Sequence, residues 1–239
     1  KEEEKIKAKN IFIQVDEDHV KERNKKGRTI SKIVTIYTRK RTLTKPERID
    51  KVKIPRKELV DKFTFSGLYK DTQEMWEDVA YYIDCTYKKE EIETVFVMGD
   101  GATYIKAGTE WIGKSVFVID TFHLEKYINN LNFDEYLKKK LQEAIEEYDP
   151  ISTENIMKEA IKKVEEEIKE DERLGRNTKR LENRLKKVKE TKTYLMNQWD
   201  GIEAHDIYKD KLTGCCQEGQ VHHTLSERLS TDAKVWSEN

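Results

Sequence analysis

Thr94-Val95-Phe96-Val97-Met98-Gly99-Asp100-Gly101-Ala102 is a short apolar run that stops on a carboxylate held between two glycines. A run this brief and continuously apolar reads as a strand buried on both faces, the habit of a strand lying parallel to a neighbour. Ser115-Val116-Phe117-Val118-Ile119 repeats the pattern and stops at Asp120-Thr121-Phe122-His123. Upstream, Ile11-Phe12-Ile13-Gln14-Val15 is another such strand, ending in Asp16-Glu17-Asp18-His19. Between these runs, Ile30 to Thr38 alternates apolar and polar residues, and Ile49 to Ile54 does so between Pro46 and Pro55. They read as the second and third strands of an antiparallel meander, the third at or near an edge. Asp71 or Thr72 then caps a helix to about Tyr87, with Met75, Trp76, Val79, Ala80, Tyr82 and Ile83 at helical spacing.

Three antiparallel strands, a helix and two buried strands follow the element order of a ribonuclease-H-like α/β fold: a mixed five-stranded sheet with flanking helices. In that order the first and fourth strands are parallel neighbours at the sheet centre, so Asp16 and Asp100 are expected at one edge, where active sites of open α/β sheets collect. Glu218, at the start of a final helix, is the third carboxylate that packing across this edge would supply. Three carboxylates suit two hard cations, Mg²⁺ or Mn²⁺, held about 4 Å apart for phosphodiester cleavage. Gly99 and Gly101 leave the backbone room to turn and a phosphate room to approach. Asp18 is an alternative to Asp16 as first ligand, and any Asp after a strand also serves as a turn or cap residue. Cys215, Cys216, His222 and His223 have the residue types of a zinc site, but adjacent ligands on one helix converge poorly on a tetrahedral ion.

From about Leu124 to Trp199 the sequence is helical and highly charged. Ile156, Ala160, Ile161, Val164 and Ile168 form one apolar stripe, and Leu181, Leu185, Val188 and Leu195 another, as in an antiparallel helical pair with a bend at Leu174-Gly175. Asp149-Pro150 breaks the helical run, and Ser152 or Thr153 restarts it. The expected organisation is a core over residues 1–123, a helical insertion over 124–211 and a return to the core over 212–239. Val221, Leu225 and Leu229 are spaced for one helix face.

Charged residues make up 39% of the chain and hydrophobic residues 36%, and the net charge is −1. This suffices for one core. No apolar run approaches the roughly 18 residues of a membrane-spanning helix, and the charged N-terminus carries no signal peptide, so no membrane partner and a cytoplasmic location are expected. Three cysteines exclude a disulfide framework. Charge is uneven: residues 21–57 hold fifteen Lys and Arg against Glu22, Glu47 and Asp50. Such a stretch, with Arg39, Lys40 and Arg41 at its middle, suits a phosphodiester backbone. A solvated hairpin without a partner is the plainer alternative. His222 lies four residues after Glu218, placed to orient it, and Arg228 on the same helix is a candidate phosphate contact. The absence of an initial Met and of a terminal cap reads as a fragment of a longer protein.

Four blocks carry a family resemblance: Val15-Asp16-Glu17-Asp18-His19-Val20, Gly99-Asp100-Gly101-Ala102, Asp120-Thr121-Phe122-His123-Leu124-Glu125-Lys126-Tyr127 and Glu218-Gly219-Gln220-Val221-His222-His223. Together they resemble the signature blocks of ISLre-type insertion-sequence transposases, an Asp-Asp-Glu group related to Mutator-like elements and long catalogued as an uncharacterised bacterial family. The resemblance implies a DNA transposase whose Asp16, Asp100 and Glu218 are catalytic metal ligands. Water would cut at an element end, and the freed 3′-hydroxyl would attack target DNA. It further implies that Asp100-Gly101 and the Asp120/His123 pair are family features, that His123 contacts DNA or supports a ligand, that a helical insertion precedes the catalytic Glu, and that the protein acts as a homo-oligomer on DNA ends and target. A catalytically inactive, transposase-derived DNA-binding or assembly protein is the competing expectation. A helical scaffold with incidental strands is a third.

Overall fold

The computed structural model describes residues 4–20, 29–42, 47–49, 52–54, 57–131 and 133–212, with backbone alone at 18–20, 29, 47–49 and 52–54. In chain order its strands and helices begin with β1 (Asn10–Val20), β2 (Thr29–Tyr37), β3 (Arg39–Thr42), β4 (Glu47–Ile49), β5 (Val52–Ile54), β6 (Lys57–Val60) and β7 (Phe63–Gly67). Then follow α1 (Thr72–Thr86), β8 (Thr94–Gly99), α2 (Thr103–Lys106), α3 (Gly108–Trp111) and β9 (Ser115–Ile119). Five helices complete the described chain: α4 (Thr121–Asn129), α5 (Glu135–Glu146), α6 (Pro150–Arg173), α7 (Lys179–Asn197) and α8 (Trp199–Ile207). Ile119–Lys209 forms one compact unit and the chain on either side of it forms the other.

The first unit is built on a mixed five-stranded sheet of order β7-β2-β1-β8-β9. β1 pairs antiparallel with β2 and parallel with β8, so the first apolar run and the Thr94–Gly99 run are parallel neighbours, as the element order predicts. Every residue of β8 is buried, in keeping with its unbroken apolarity. The core is threaded by one aromatic row: Phe12 stacks on Tyr37 and on Phe96, each at a centroid distance of 5.1 Å. These residues are register partners across three strands, so the row also fixes the register. Gln14, fully buried on the same strand face, donates to the Tyr37 hydroxyl at 3.1 Å.

Two sequence expectations are corrected. β1 does not stop at Val15: it continues to Val20, and Asp16 lies inside it opposite Ile33. Pairing with the alternating β2 carries the strand past its apolar run, overriding the low strand preference of the acidic residues. The third strand of the sheet is Phe63–Gly67, not residues 49–54. Val52–Ile54 pairs instead with Glu47–Ile49 in a separate two-stranded ribbon, and Arg39–Thr42 pairs with Lys57–Val60 in another. The excursion between β2 and β7 is a hairpin arm, while Phe63 is held at the edge by stacking on Tyr82 of α1 at 4.2 Å.

α1 begins where expected, with Asp71 accepting from the Gln73 amide at 3.0 Å. It buries Met75, Trp76, Val79 and Ile83. The Trp76 indole donates to the Tyr104 carbonyl at 2.8 Å, tying α1 to the short helices that follow β8.

In the second unit α6 and α7 form the antiparallel hairpin that the two apolar stripes predict. Ion pairs cross it from Glu154 to Lys192, Glu165 to Lys189 and Glu167 to Arg184. Gly175, at φ +66°, closes α6: its own amide and that of Arg176 bond back to Glu172 and Asp171. The start of α6 differs from expectation. Asp149-Pro150 does separate α5 from α6, but the restart comes before Ser152: Pro150 opens α6, and Asp149 caps it by accepting from Ile151 and Ser152. Proline at the first position gives up an amide that has no partner there anyway. The buried face is Thr153, Met157, Ala160 and Val164, so Ile156, Ile161 and Ile168 flank the seam rather than fill it. α4 joins through Tyr127, stacked on Tyr194 at 3.9 Å. The His205 ring donates from Nε2 to the Ile119 carbonyl at 2.8 Å, linking α8 to the first residue of the unit. No described helix is long and apolar enough to cross a membrane.

Gly108 has no room for a side chain, because an added Cβ would lie 2.3 Å from the Trp76 ring. Gly108→Ala is expected to cost about 1–3 kcal/mol by overpacking a buried indole, read as a lower urea midpoint at unchanged slope. A midpoint equal to wild type would show that α3 moves away without cost.

Candidate functional site

The parallel ladder sets two carboxylates level with each other. Its register runs from Asn10 opposite Thr94 to Gln14 opposite Met98, an offset of 84 residues. Continued two positions, the same offset brings Asp16 level with Asp100, and leaves Asp18 beyond it. Gly99 bears out the continuation: a Cβ there would meet the Val15 carbonyl oxygen at 2.8 Å and Ile105 Cδ1 at 2.7 Å. Glycine is thus what lets the end of β8 lie against β1 while α2 folds over it. Gly101 follows with φ +88°, a conformation that L side chains avoid, and turns the chain into α2.

Both carboxylates are half-buried and each has one oxygen oriented by a backbone amide. Asp16 Oδ1 accepts from Glu17 N at 2.8 Å, and Asp100 Oδ1 accepts from Ala102 N at 2.9 Å. Tyr104, four residues after Asp100, reports their common field. Burial raises its phenol well above the ordinary tyrosine range, and the negative charges of Glu17, Asp100 and Asp16 add to the effect, with a hydrogen bond to Glu17. Glu17 and Asp16 are adjacent strand positions and so point to opposite faces. On the Glu17 side Lys32 is the cross-strand partner, and its ammonium lies 4.4 Å from the centre of the Tyr104 ring. Burial lowers the Lys32 pKa, opposed by the charges of Glu17 and Asp71. Tyr104 and Lys32 belong to no motif, and the Glu17–Lys32 pairing becomes visible only once the strand register is known.

The donor chemistry fits a hard divalent cation. Two carboxylates at one level are oxygen ligands of the kind Mg²⁺ and Mn²⁺ take. Among the described residues no group of three His, Cys, Asp or Glu is arranged to hold a metal ion. Glu218, His222 and Arg228, together with Cys215, Cys216 and His223, lie outside the described residues.

Asp120 and His123 form a separate arrangement in the helical unit. Asp120, 3% exposed, caps α4 by accepting from Phe122 N at 3.0 Å, and its other oxygen takes a 3.0 Å bond from His123 Nδ1. The carboxylate thus orients the imidazole at the helix start. Of the basic triplet in β3, Arg41 is bound to Glu58 across the ribbon at 2.6 Å, Arg39 is exposed and Lys40 half-buried.

The whole chain, residues 1–239, matches a family described as an uncharacterised protein family, UPF0236, and the chain belongs to that family. Its relatives include UPF0236 protein TTE2489 of Caldanaerobacter subterraneus subsp. tengcongensis, 33% identical over 235 residues, covering 98% of this chain and 45% of that protein. Another protein of the same organism is 34% identical over 235 residues, covering 98% of this chain and 44% of its own length, and its name carries eleven locus designations. A protein of Streptococcus gallolyticus, named as the UPF0236 protein in the vanSb 3′ region, is 22% identical over 192 residues, or 77% of this chain and 39% of its own. The chain therefore spans less than half the length of these relatives.

The raised Tyr104 pKa has a sign that can be tested. A phenol whose folded pKa lies above its unfolded value of about 10 contributes stability below that pH and loses it as pH rises further. Wild type is expected to lose more unfolding free energy than Tyr104→Phe between pH 9 and about 11.5, measured by urea titration. Parallel pH profiles would mean that neither burial nor the neighbouring carboxylates raise the phenol pKa in the folded state.

Proposed function

We propose that this chain is the catalytic segment of a DNA transposase, with a ribonuclease-H-like core that cuts and joins phosphodiesters. The observation that carries the reading is the placement of Asp16 and Asp100 at one level, at the end of a buried parallel strand pair. Two further points support it. The order β7-β2-β1-β8-β9, with the first and fourth sheet strands parallel at the centre, agrees with a ribonuclease-H-like core. The eleven locus designations of one relative within one organism are the distribution expected of a mobile element.

In this reading Asp16 and Asp100 hold divalent cations between them, and Glu218 is the third ligand. Mg²⁺ or Mn²⁺, when bound, supplies polarisation of the scissile phosphate and a more acidic water. The backbone amides of Glu17 and Ala102 orient one oxygen of each aspartate, so less side-chain freedom is lost on binding. Gly101 keeps bulk away from the turn beside Asp100, where a phosphate has to approach. Glu17 is tied up with Tyr104 on the opposite strand face and acts as support rather than as a ligand. His123, oriented by Asp120, serves as a DNA contact or ligand support, and the basic β2–β7 arm holds the DNA backbone. The full-length protein is a homo-oligomer on its DNA ends in the cytoplasm.

Calorimetric titration of Mn²⁺ tests the reading on the 239-residue chain. Wild type and Glu17→Gln are expected to bind, while Asp16→Asn and Asp100→Asn lose at least tenfold in affinity, about 1.4 kcal/mol. Equal binding by wild type and both aspartate variants would remove the carboxylate pair from any metal site. It would favour an inactive, transposase-derived DNA-binding protein instead.

A further inference from the structure

A cavity of about 490 Å³ lies in the helical unit along the first half of α7, and its wall is cationic: Lys179, Arg180, Arg184 and Lys187, with the amides of Asn177 and Asn183 between them. Leu131 and Val188 form the floor. α7 as a whole is rich in bases, but most of them are engaged. Arg184, Lys189 and Lys192 pair with glutamates of α6, and Lys186 pairs with Glu190. Lys179, Arg180 and Lys187 are exposed and make no ion pair among the described residues. All three line the cavity. Arg184 stands in the same wall. Its guanidinium tip reaches Glu167 at 3.2 Å, while its Nε is buried and meets no acceptor.

We infer that this groove of α7 is a binding site for the phosphate backbone of a nucleic acid. Charge, spacing and donor type agree. Positions 179, 180, 183, 184 and 187 follow helical spacing, so they make one stripe. From 179 to 187 the helix rises about 12 Å, the axial rise of three to four nucleotides of one strand at about 3.4 Å each. Asparagine amides beside guanidinium and ammonium groups are the usual partners of phosphate and sugar oxygens. The positive end of the α7 dipole, at Lys179, adds to the attraction. A membrane surface is a poorer match, because the floor is recessed. The inference rests on the reading that DNA is the substrate, but it assigns the grip to a surface remote in sequence from the basic 21–57 stretch.

The test is fluorescence anisotropy with a labelled 30-base-pair duplex of arbitrary sequence, at several salt concentrations and in EDTA. Chelation removes metal binding at Asp16 and Asp100 from the readout, so failure here and failure of the catalytic reading are distinguishable. Lys179→Gln/Arg180→Gln/Lys187→Gln changes only exposed side chains, and circular dichroism checks its fold. Its slope of log affinity against log salt is expected to fall by two to three, about 0.9 for each phosphate no longer neutralised. A control, Lys158→Gln/Lys162→Gln/Lys186→Gln, removes the same charge from bases in ion pairs within their own helices. It is expected to change the slope by less than one. An unchanged slope in the groove variant, or an equal change in the control, overturns the site. Binding of wild type to phosphatidylserine vesicles but not to duplex overturns it in favour of a membrane surface.

Discussion

The parallel pairing of β1 with β8 is the constraint on which the first unit depends. A parallel ladder holds one residue offset along its length, and here Phe12 locks that offset by stacking between its two register partners. Slippage of β8 by one residue would turn Phe96 to the face opposite Phe12 and break the aromatic row. It would also separate the carboxylates, since Asp16 and Asp100 have no sequence relation beyond the shared offset. The core and the site are thus set by the same backbone bonds. A substitution that loosens the aromatic row acts on the acidic pair without touching it.

The two strands end differently, and the difference shapes the site. β1 continues past the point where β8 stops, because β2 still pairs with it on the other side. β8 stops because Gly99 and Gly101 fold the chain over into α2. Tyr104 is carried back by that fold to the acidic end of β1. The site has two chemically distinct faces as a result. One presents Asp16, and the other holds half-buried Glu17, Lys32 and Tyr104 together in a polar cluster. Backbone amides orient one oxygen each of Asp16 and Asp100, and Lys32 lies across the strand from Glu17.

Much of this is legible in the sequence because it depends on local pattern. Unbroken apolar runs identify β8 and β9, the Asp71 cap and 3.6-residue spacing identify α1, and two apolar stripes with Leu174-Gly175 identify the α6–α7 hairpin. What escapes depends on partners distant in the chain. The charged half of β1 does not look like a strand, and it is one because β2 pairs with it. Residues 49–54 alternate as a sheet strand does, but no rule of alternation says which edge receives them, and Phe63–Gly67 takes that place. The break at Asp149-Pro150 is legible, but the cap is not: Asp149, not Ser152 or Thr153, starts α6, because proline is tolerated at the first helical position. Of the candidate site, the Asp16–Asp100 pair can be anticipated from strand order. The Glu17–Lys32–Tyr104 cluster cannot, because it exists only in a particular register.

The bond from His205 to the Ile119 carbonyl gives the helical unit a property that its neighbours in the chain do not need to share. It brings the last helix of Ile119–Lys209 back to the residue where the unit begins. A segment whose entry and exit are stapled together behaves as a cassette: it closes its own loop and asks little entropy of its host to do so. Such a cassette can lengthen, shrink or acquire new surface while the strands that precede it keep their register. The helical unit can therefore change without renegotiating the sheet that carries Asp16.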